Sequence, residues 1–507
     1  MERIRRLFLL LLCCLFLFSP TASTALADKG KIDQKRNRFI GYLLSKQLPG
    51  LHYSDKVLDD NLARAAFHLY IKQLDYQKRF LLKSDVEQLS AFAPHIDDSL
   101  VNGRITLPET GYDILNEKID LVQKAVEKML AKTTVKKGSG GELMIGAFDV
   151  MKEELHETDP EKTEFAATTT ELQDRWRKIL KAQVISQYLD LEEEQKKAME
   201  KGGADKKKIV DKGGEEKKAR KVMSEEELWQ EALVKVAKRN RTFFQRLRQE
   251  TLQDHYDRFF NCVARAFDPH TNYVPPASKE QFDISMRGSL EGIGALLRED
   301  DGYIKVIRII PGSASAKQGI LKPEDIILQV AQEGEEPVDV TDMRLRDAVR
   351  LIRGPKGKAV SITIKKSDGT TQVLRIVRDV VQIEETFVKS TVLESVEGHK
   401  TGYIHIPSFY RDFEGTRNGS QGRNSTDDTL KELTALTKEK VSGIVLDLRD
   451  DGGGALIDAV DIAGLFIKSG PIVQVKNSFG DKRVLSDSDG KVYYDGPLVV
   501  MVNKFSA

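Results

Sequence analysis

Apolar and polar positions divide the chain into three stretches of different texture. From Lys31 to about Ala266 apolar residues recur at helical spacing, as in Ile40, Leu43 and Leu44 and again in Leu115, Ile119, Val122, Val126 and Leu130. Residues three and four apart share one face of a helix, so this stretch predicts a helix-rich N-terminal domain over residues 28–280. Between Lys196 and Lys221 the periodicity gives way to a Lys/Glu-dense tract holding Gly202-Gly203 and Gly213-Gly214. Such a tract predicts a solvated or disordered loop between two helices. Its acids are interleaved with its bases, which argues against a nucleic-acid patch, where one sign of charge gathers on one face.

From Gln281 to about Val380 the runs shorten and turn β-rich: Tyr303–Ile310, Asp325–Val330, Ala359–Ile364 and Val373–Val377. One helix interrupts them, with Asp342 as its N-cap, Leu345, Ala348, Val349 and Ile352 on one face, and Gly354-Pro355 to end it. This predicts a compact β-domain over residues 281–380. From Thr401 strands and helices alternate: strand Tyr403–Ile406, helix Asp427–Glu439, strand Gly443–Arg449, helix Ala455–Ile467. The apolar run Leu498–Val502, between Gly496-Pro497 and small polar residues, reads as a buried central parallel strand, the kind whose tip carries chemistry in an open α/β sheet. The three stretches together predict a multidomain α+β protein whose last part, residues 381–507, is the beginning of an incomplete α/β core.

Composition narrows the class. The 507 residues are 40% apolar and 31% charged, enough apolar material for several packed cores and too much for a disordered chain. Residues 1–27 read as a signal peptide: Arg3, Arg5 and Arg6, an apolar run Leu7–Phe18, then Ala25-Leu26-Ala27 ahead of Asp28. A membrane anchor needs roughly 18 to 20 apolar residues, more than this run supplies, so no stable span is expected after cleavage. The net charge of +1 falls to about −1 once the leader's three arginines and one glutamate are gone, which implies no polyanion partner. Cys262 is then the single cysteine, so no internal disulfide can form. Export without disulfides points to a bacterial envelope protein more readily than to a disulfide-stapled eukaryotic secreted one.

Two motifs carry chemistry. Ile444-Val445-Leu446-Asp447-Leu448-Arg449-Asp450-Asp451-Gly452-Gly453-Gly454-Ala455 is a strand that breaks into glycines before a helix. Unpaired N–H groups at a helix start, with no side chain to block approach, suit a developing oxyanion. A tight strand-to-helix turn that needs only glycine geometry accounts for the same residues. Neither G-x-x-x-x-G-K-[ST] nor G-x-G-x-x-G is present, so a nucleotide enzyme is disfavoured. Ser289-Leu290-Glu291-Gly292-Ile293-Gly294-Ala295-Leu296 alternates glycine with apolar residues just before a strand. Such a loop can offer backbone N–H groups to a peptide carboxylate while the strand edge pairs with the peptide, although a plain hairpin lead-in reads the same. His270 stands in no H-E-x-x-H and near no Cys/His cluster, which leaves a metal mechanism little support and reads as a structural turn histidine. No cofactor is implied.

These segments resemble one family. Ser289 to Leu297, Ile310-Pro311-Gly312-Ser313-Ala314-Ser315-Ala316 and Ile320 to Ile327 look like the opening of a PDZ domain. Leu345 to Gly357 resembles the peptide-groove helix of the PDZ found in carboxyl-terminal processing proteases. Asp268 to Tyr273, Gly402-Tyr403-Ile404 with Phe409-Tyr410, Leu446 to Arg449 with its glycines, and Gly496 to Ala507 follow in that family's order. The long helical first domain is similar to the bacterial periplasmic tail-specific branch.

The resemblance implies a serine endopeptidase with a Ser–Lys dyad, acting on proteins whose apolar C-terminal tails are first held by the PDZ. It matches Gly452 and Gly453 to the oxyanion-hole stretch, and Leu290, Gly292, Ile293 and Gly294 to the carboxylate-binding loop. It sets the nucleophile just past Ala507, in a serine-rich segment of which Ser506 matches only the first residue, and the lysine further on. Lys504 is read as a surface residue. The 507-residue chain is therefore expected to be a fragment that does not cleave by itself. The alternative is a non-catalytic adaptor that holds C-terminal tails. The resemblance also leaves room for an envelope lipoprotein adaptor as a partner.

Overall fold

The computed structural model describes residues 32–54, 56–131, 134–137, 143–204, 222–300, 302–413, 415, 422–487 and 489–507. The expected signal segment and residues 205–221 lie outside them. Helices Gln34–Leu51, Asp60–Leu74, Lys83–Ser90, Ile96–Asn102, Leu107–Leu130, Thr169–Ala204, Glu225–Arg248 and Leu252–Phe267 build the first domain around one apolar core. In Leu107–Leu130 the periodic Leu115, Ile119, Val122, Val126 and Leu130 are all buried, facing the next three long helices of the chain. Burial of an amphipathic face, more than propensity, is what holds such a helix.

The first helix departs from its pattern. Ile40 and Leu44 are only half-buried, and the buried positions are Asn37, Gly41 and Ser45. A Cβ at Gly41 would stand 2.8 Å from Ile105 Cδ1, so a small-residue stripe lets this helix approach its neighbour closely. Asn37 exchanges two hydrogen bonds with Gln253, at 2.9 and 3.3 Å. The Lys/Glu-dense tract also begins differently from expectation. Helix Thr169–Ala204 continues through Lys196, supported by Glu192–Lys196 and Glu193–Lys197 pairs at 3.0 and 2.6 Å, the favourable spacing of four. A small antiparallel sheet, Val135–Lys137, Leu143–Ile145 and Phe148–Asp149, was not legible in the helical pattern.

Helix Pro276–Arg287 runs across the expected boundary at 280/281. Beyond it, antiparallel strands Ala295–Asp300, Tyr303–Ile309, Ile326–Gln332, Ala359–Lys365 and Thr371–Val377 form a sheet in which Ala295–Asp300 is an edge. Ser289–Gly292 pairs instead with Asp379–Gln382, joining the domain's entry and exit. Helix Leu345–Ile352 buries Ala348 and Ile352, but Asp342 is not its N-cap. Arg344 holds that position, because Asp342 is left-handed at φ +56° and its N–H is spent on Gly302 O at 2.7 Å.

The third part is a four-stranded sheet in the order Lys389–Glu394, Lys400–His405, Gly443–Asp447, Leu498–Met501, antiparallel at the first pair and parallel thereafter. Helix Ser425–Lys438 makes the crossover and packs on the sheet, with Leu436 Cδ1 2.9 Å from where a Gly402 Cβ would be. The strand Leu498–Met501 is parallel as expected, but neither central nor buried. It is the outermost strand of the described sheet, and Leu498, Val499 and Val500 are exposed. Among the described residues no helix is long and apolar enough to cross a membrane.

Candidate functional site

The glycine run forms a loop, and the helix after it starts only at Leu456, with Ala455 as its N-cap. Gly453 and Gly454 sit at φ +92° and +150°, conformations closed to most L-residues. Phe409 fixes the loop from outside: its N–H donates to Gly453 O at 3.0 Å and its carbonyl accepts from Ala455 N at 2.7 Å. A Cβ at Gly454 would lie 2.2 Å from that carbonyl oxygen. At Gly452 a Cβ would meet nothing within 4 Å, so this side of the loop is open. Tyr410, fully buried, anchors Phe409 by donating to Asp428 and accepting from Val388 N at 3.2 Å.

The N–H groups are not all unpaired, as the sequence suggested. Gly453 N donates to Asp451 Oδ1 at 2.8 Å. Asp451 is itself buried, and its Oδ2 has no partner among the described residues. Burial raises its pKa, against the Gly453 N–H and the charge of His405. Nothing in the sequence marked Asp451 beyond its place in the motif.

Residues 503–507 are laced to the same loop. Asn503 Oδ1 accepts from Asp450 N at 3.1 Å, Ser506 Oγ donates to Leu448 O at 2.7 Å, and Ala507 N donates to Asp451 O at 2.9 Å. Lys504 is exposed, its Nζ 4.8 Å from the Phe505 ring centroid. Beside this junction a cleft of about 470 Å³ is lined by Tyr403, His405, Asp447, Arg449 and Asn503 among others. The Arg449 guanidinium, at 2.7 Å, holds the buried Asp447 carboxyl well below the usual carboxylate range, with the Tyr403 hydroxyl assisting at 2.5 Å. This cluster joins strand Lys400–His405 to the end of Gly443–Asp447, a contact that sequence reasoning passed over.

The second locus is the loop Leu290–Gly294. Gly294, at φ +79°, accepts from Ile310 N at 2.9 Å and from Ser313 Oγ at 3.2 Å. A Cβ there would stand 2.0 Å from Ser313 Cβ, so the glycine is required by packing. Ile293 points into the β-domain core, while its carbonyl accepts from Ser315 N at 2.9 Å. Leu290 lies in the strand paired with Asp379–Gln382, and Arg353 Cγ comes within 3.8 Å of the Gly292 Cβ position. The loop thus leads into the open edge strand Ala295–Asp300, beside the C-terminal end of helix Leu345–Ile352. An edge strand with a helix alongside can add an extended peptide as a further strand. His270 is exposed in a turn, its N–H on Asp268 Oδ1 at 2.7 Å.

Comparison with known proteins agrees with this order of parts. Residues 44–277 match the tail specific protease N-terminal domain, 281–365 the PDZ domain, and 400–507 peptidase family S41. A tail-specific protease of Haemophilus influenzae is 30% identical over 491 residues, 96% of this chain and 61% of that protein. The carboxy-terminal processing protease CtpA of Bacillus subtilis is 33% identical over 246 residues, 47% of this chain and 46% of that protein. A crystal structure of the PDZ domain of a Vibrio cholerae carboxy-terminal protease, in complex with a peptide, is 42% identical, covering 18% of this chain and 98% of that domain at a TM-score of 0.18. The chain thus spans less than two thirds of the length of the Haemophilus and Bacillus relatives. With a helical domain, a PDZ domain and an S41 segment in one succession, the chain belongs to the carboxyl-terminal processing protease family.

Proposed function

We propose that the chain captures the apolar C-terminal tails of proteins in its PDZ groove and carries the glycine loop of a serine endopeptidase. The observation that supports capture is the open edge strand Ala295–Asp300, with the Gly294 turn at its start and helix Leu345–Ile352 alongside. In this reading the N–H groups about Gly292, Ile293 and Gly294 receive the tail carboxylate, and Leu290 borders the apolar pocket for its last side chain. Gly452 and Gly453 supply the oxyanion donors, and the Gly453 N–H becomes available when Asp451 turns away. Tail capture raises the effective concentration of the scissile bond near the peptidase part.

The nucleophile and its lysine base belong to the segment that the family resemblance sets beyond Ala507. The ties of Asn503, Ser506 and Ala507 to the glycine loop support this, because they would bring a serine placed just after Ala507 to within reach of Gly453. A lysine acts as base only when burial lowers its pKa toward neutrality. The leader pattern of residues 1–27 supports a periplasmic location.

The test is binding and cleavage by the purified 507-residue chain. An apolar-ended peptide is expected to bind with Kd on the order of micromolar, and C-terminal amidation to weaken it about tenfold or more. No cleavage of a tail-bearing protein is expected. Tail-dependent cleavage abolished by Ser506→Ala would overturn the assignment of the nucleophile, and binding indifferent to amidation would overturn capture.

A further inference from the structure

Both walls of the groove are tied to the helical domain. On the strand wall Glu299 Oε1 meets Arg246 Nε at 3.4 Å. On the helix wall Arg344 Nη1 and Arg346 Nη2 meet the two oxygens of Asp254 at 2.7 and 2.5 Å. Between these pairs Gln249 Nε2 donates to Asp342 O at 2.7 Å. The joint encloses a cleft of about 1110 Å³ whose lining includes Arg246, Gln249 and Asp254 from the helical domain and Glu299, Arg346 and Arg350 from the PDZ.

The cleft continues the groove. A peptide added antiparallel to Ala295–Asp300 has its carboxylate at the Gly294 end and recedes by about 3.4 Å per residue. By about the fourth residue back it passes Glu299 and leaves the PDZ for the space walled by the helical domain.

The charges there are oriented. The arginines Arg246, Arg346 and Arg350 expose 59%, 58% and 67% of their side chains, whereas their partners Glu299, Asp254 and Asp347 expose 18%, 22% and 22%. Each pair turns its guanidinium outward and its carboxylate inward, so the rim offers positive charge although the pairs balance. An acidic side chain is the complement of such a rim, and the preference weakens with salt.

We propose that the tail site is composite: Arg246 of the helical domain joins Arg346 and Arg350 of the PDZ in selecting tails that carry acidic residues about four to six positions before the C-terminal carboxylate. This rests on the capture reading above. The test is fluorescence anisotropy on the 507-residue chain, with peptides sharing one apolar C-terminal tetrapeptide and differing in three upstream residues, Glu-Asp-Glu or Gln-Asn-Gln. The acidic peptide is expected to bind about fivefold tighter at about 50 mM salt, the gap closing to under about twofold at about 500 mM. In the combined Arg246→Gln, Arg346→Gln, Arg350→Gln variant, and partly in Arg346→Gln alone, the ratio is expected to fall toward unity. Carboxylate-dependent binding without an acidic preference, or a preference that persists in both variants or at high salt, overturns the composite site alone. Peptides that bind no better than their amidated forms overturn the capture reading, and the composite site with it.

Discussion

His255 is buried with its Nε2 3.4 Å from Glu250 and 3.5 Å from Arg258, while its Nδ1 has no partner among the described residues. Burial lowers its pKa below the ordinary 6.5, outweighing the pull of Glu250 and Asp254 and aided by the charge of Arg258. The unfolded chain therefore takes up this proton first. The stabilisation is complete above about pH 6.5 and is lost as pH falls toward the folded value, at about 1.4 kcal/mol per unit of depression. Thermal melts are expected to show stability declining from pH 7 to 5, and His255→Leu to flatten that slope while lowering stability throughout. An unchanged slope would refute the assignment. Gly294→Ala is expected to cost about 2 kcal/mol and to abolish tail binding, read by urea midpoint and anisotropy. The sequence made Gly294 legible as a loop glycine, but the reason it must be glycine is Ser313, nineteen positions away, and only packing shows that.

The elements differ in how well their patterns foretold them. Helix Leu107–Leu130 was legible because three helices bury its one apolar stripe. Helix Gln34–Leu51 was legible as a helix, but not in which positions it buries deepest, because close approach through Gly41 puts Asn37, Gly41 and Ser45 inward while Ile40 and Leu44 pack at the margin of the core. Leu498–Met501 showed its strand character in composition, yet its exposure depends on which neighbours flank it. The glycine loop is the element most open to a direct test. Gly454→Ala would force a Cβ against the Phe409 carbonyl and break the two hydrogen bonds that bind Phe409 to the loop. It is expected to destabilise the chain by about 2 kcal/mol or more, as a shift of the denaturant midpoint. A neutral substitution would mean that Phe409 does not fix the loop.

At the scale of the whole molecule, Asp254 joins helical domain and PDZ. Burial works to raise its pKa, but the Thr251 N–H with Arg344 and Arg346 holds it well below the carboxylate range. With the folded value depressed, its contribution is present above the ordinary 3.8 and is lost as pH falls below it, so the clasp stays closed through neutral and mildly acid pH. Asp254→Asn leaves two guanidiniums facing a neutral group and is expected to weaken docking by about 2 kcal/mol, seen as faster limited proteolysis next to the paired entry and exit strands Ser289–Gly292 and Asp379–Gln382 with the PDZ fold intact. Equal proteolysis rates would show that the clasp contributes nothing. Local patterning alone determined the three-part α+β order, the glycine turn after Gly443–Asp447 and the loop before Ala295, because periodicity and glycine report the conformation of the segment that bears them. The tertiary structure decided that Phe409 and Asp451 hold the glycine loop, that residues 503–507 lie against it, and that arginines from two domains share one rim. Those are contacts between segments far apart in the chain, and spacing along a sequence carries no distance across a fold.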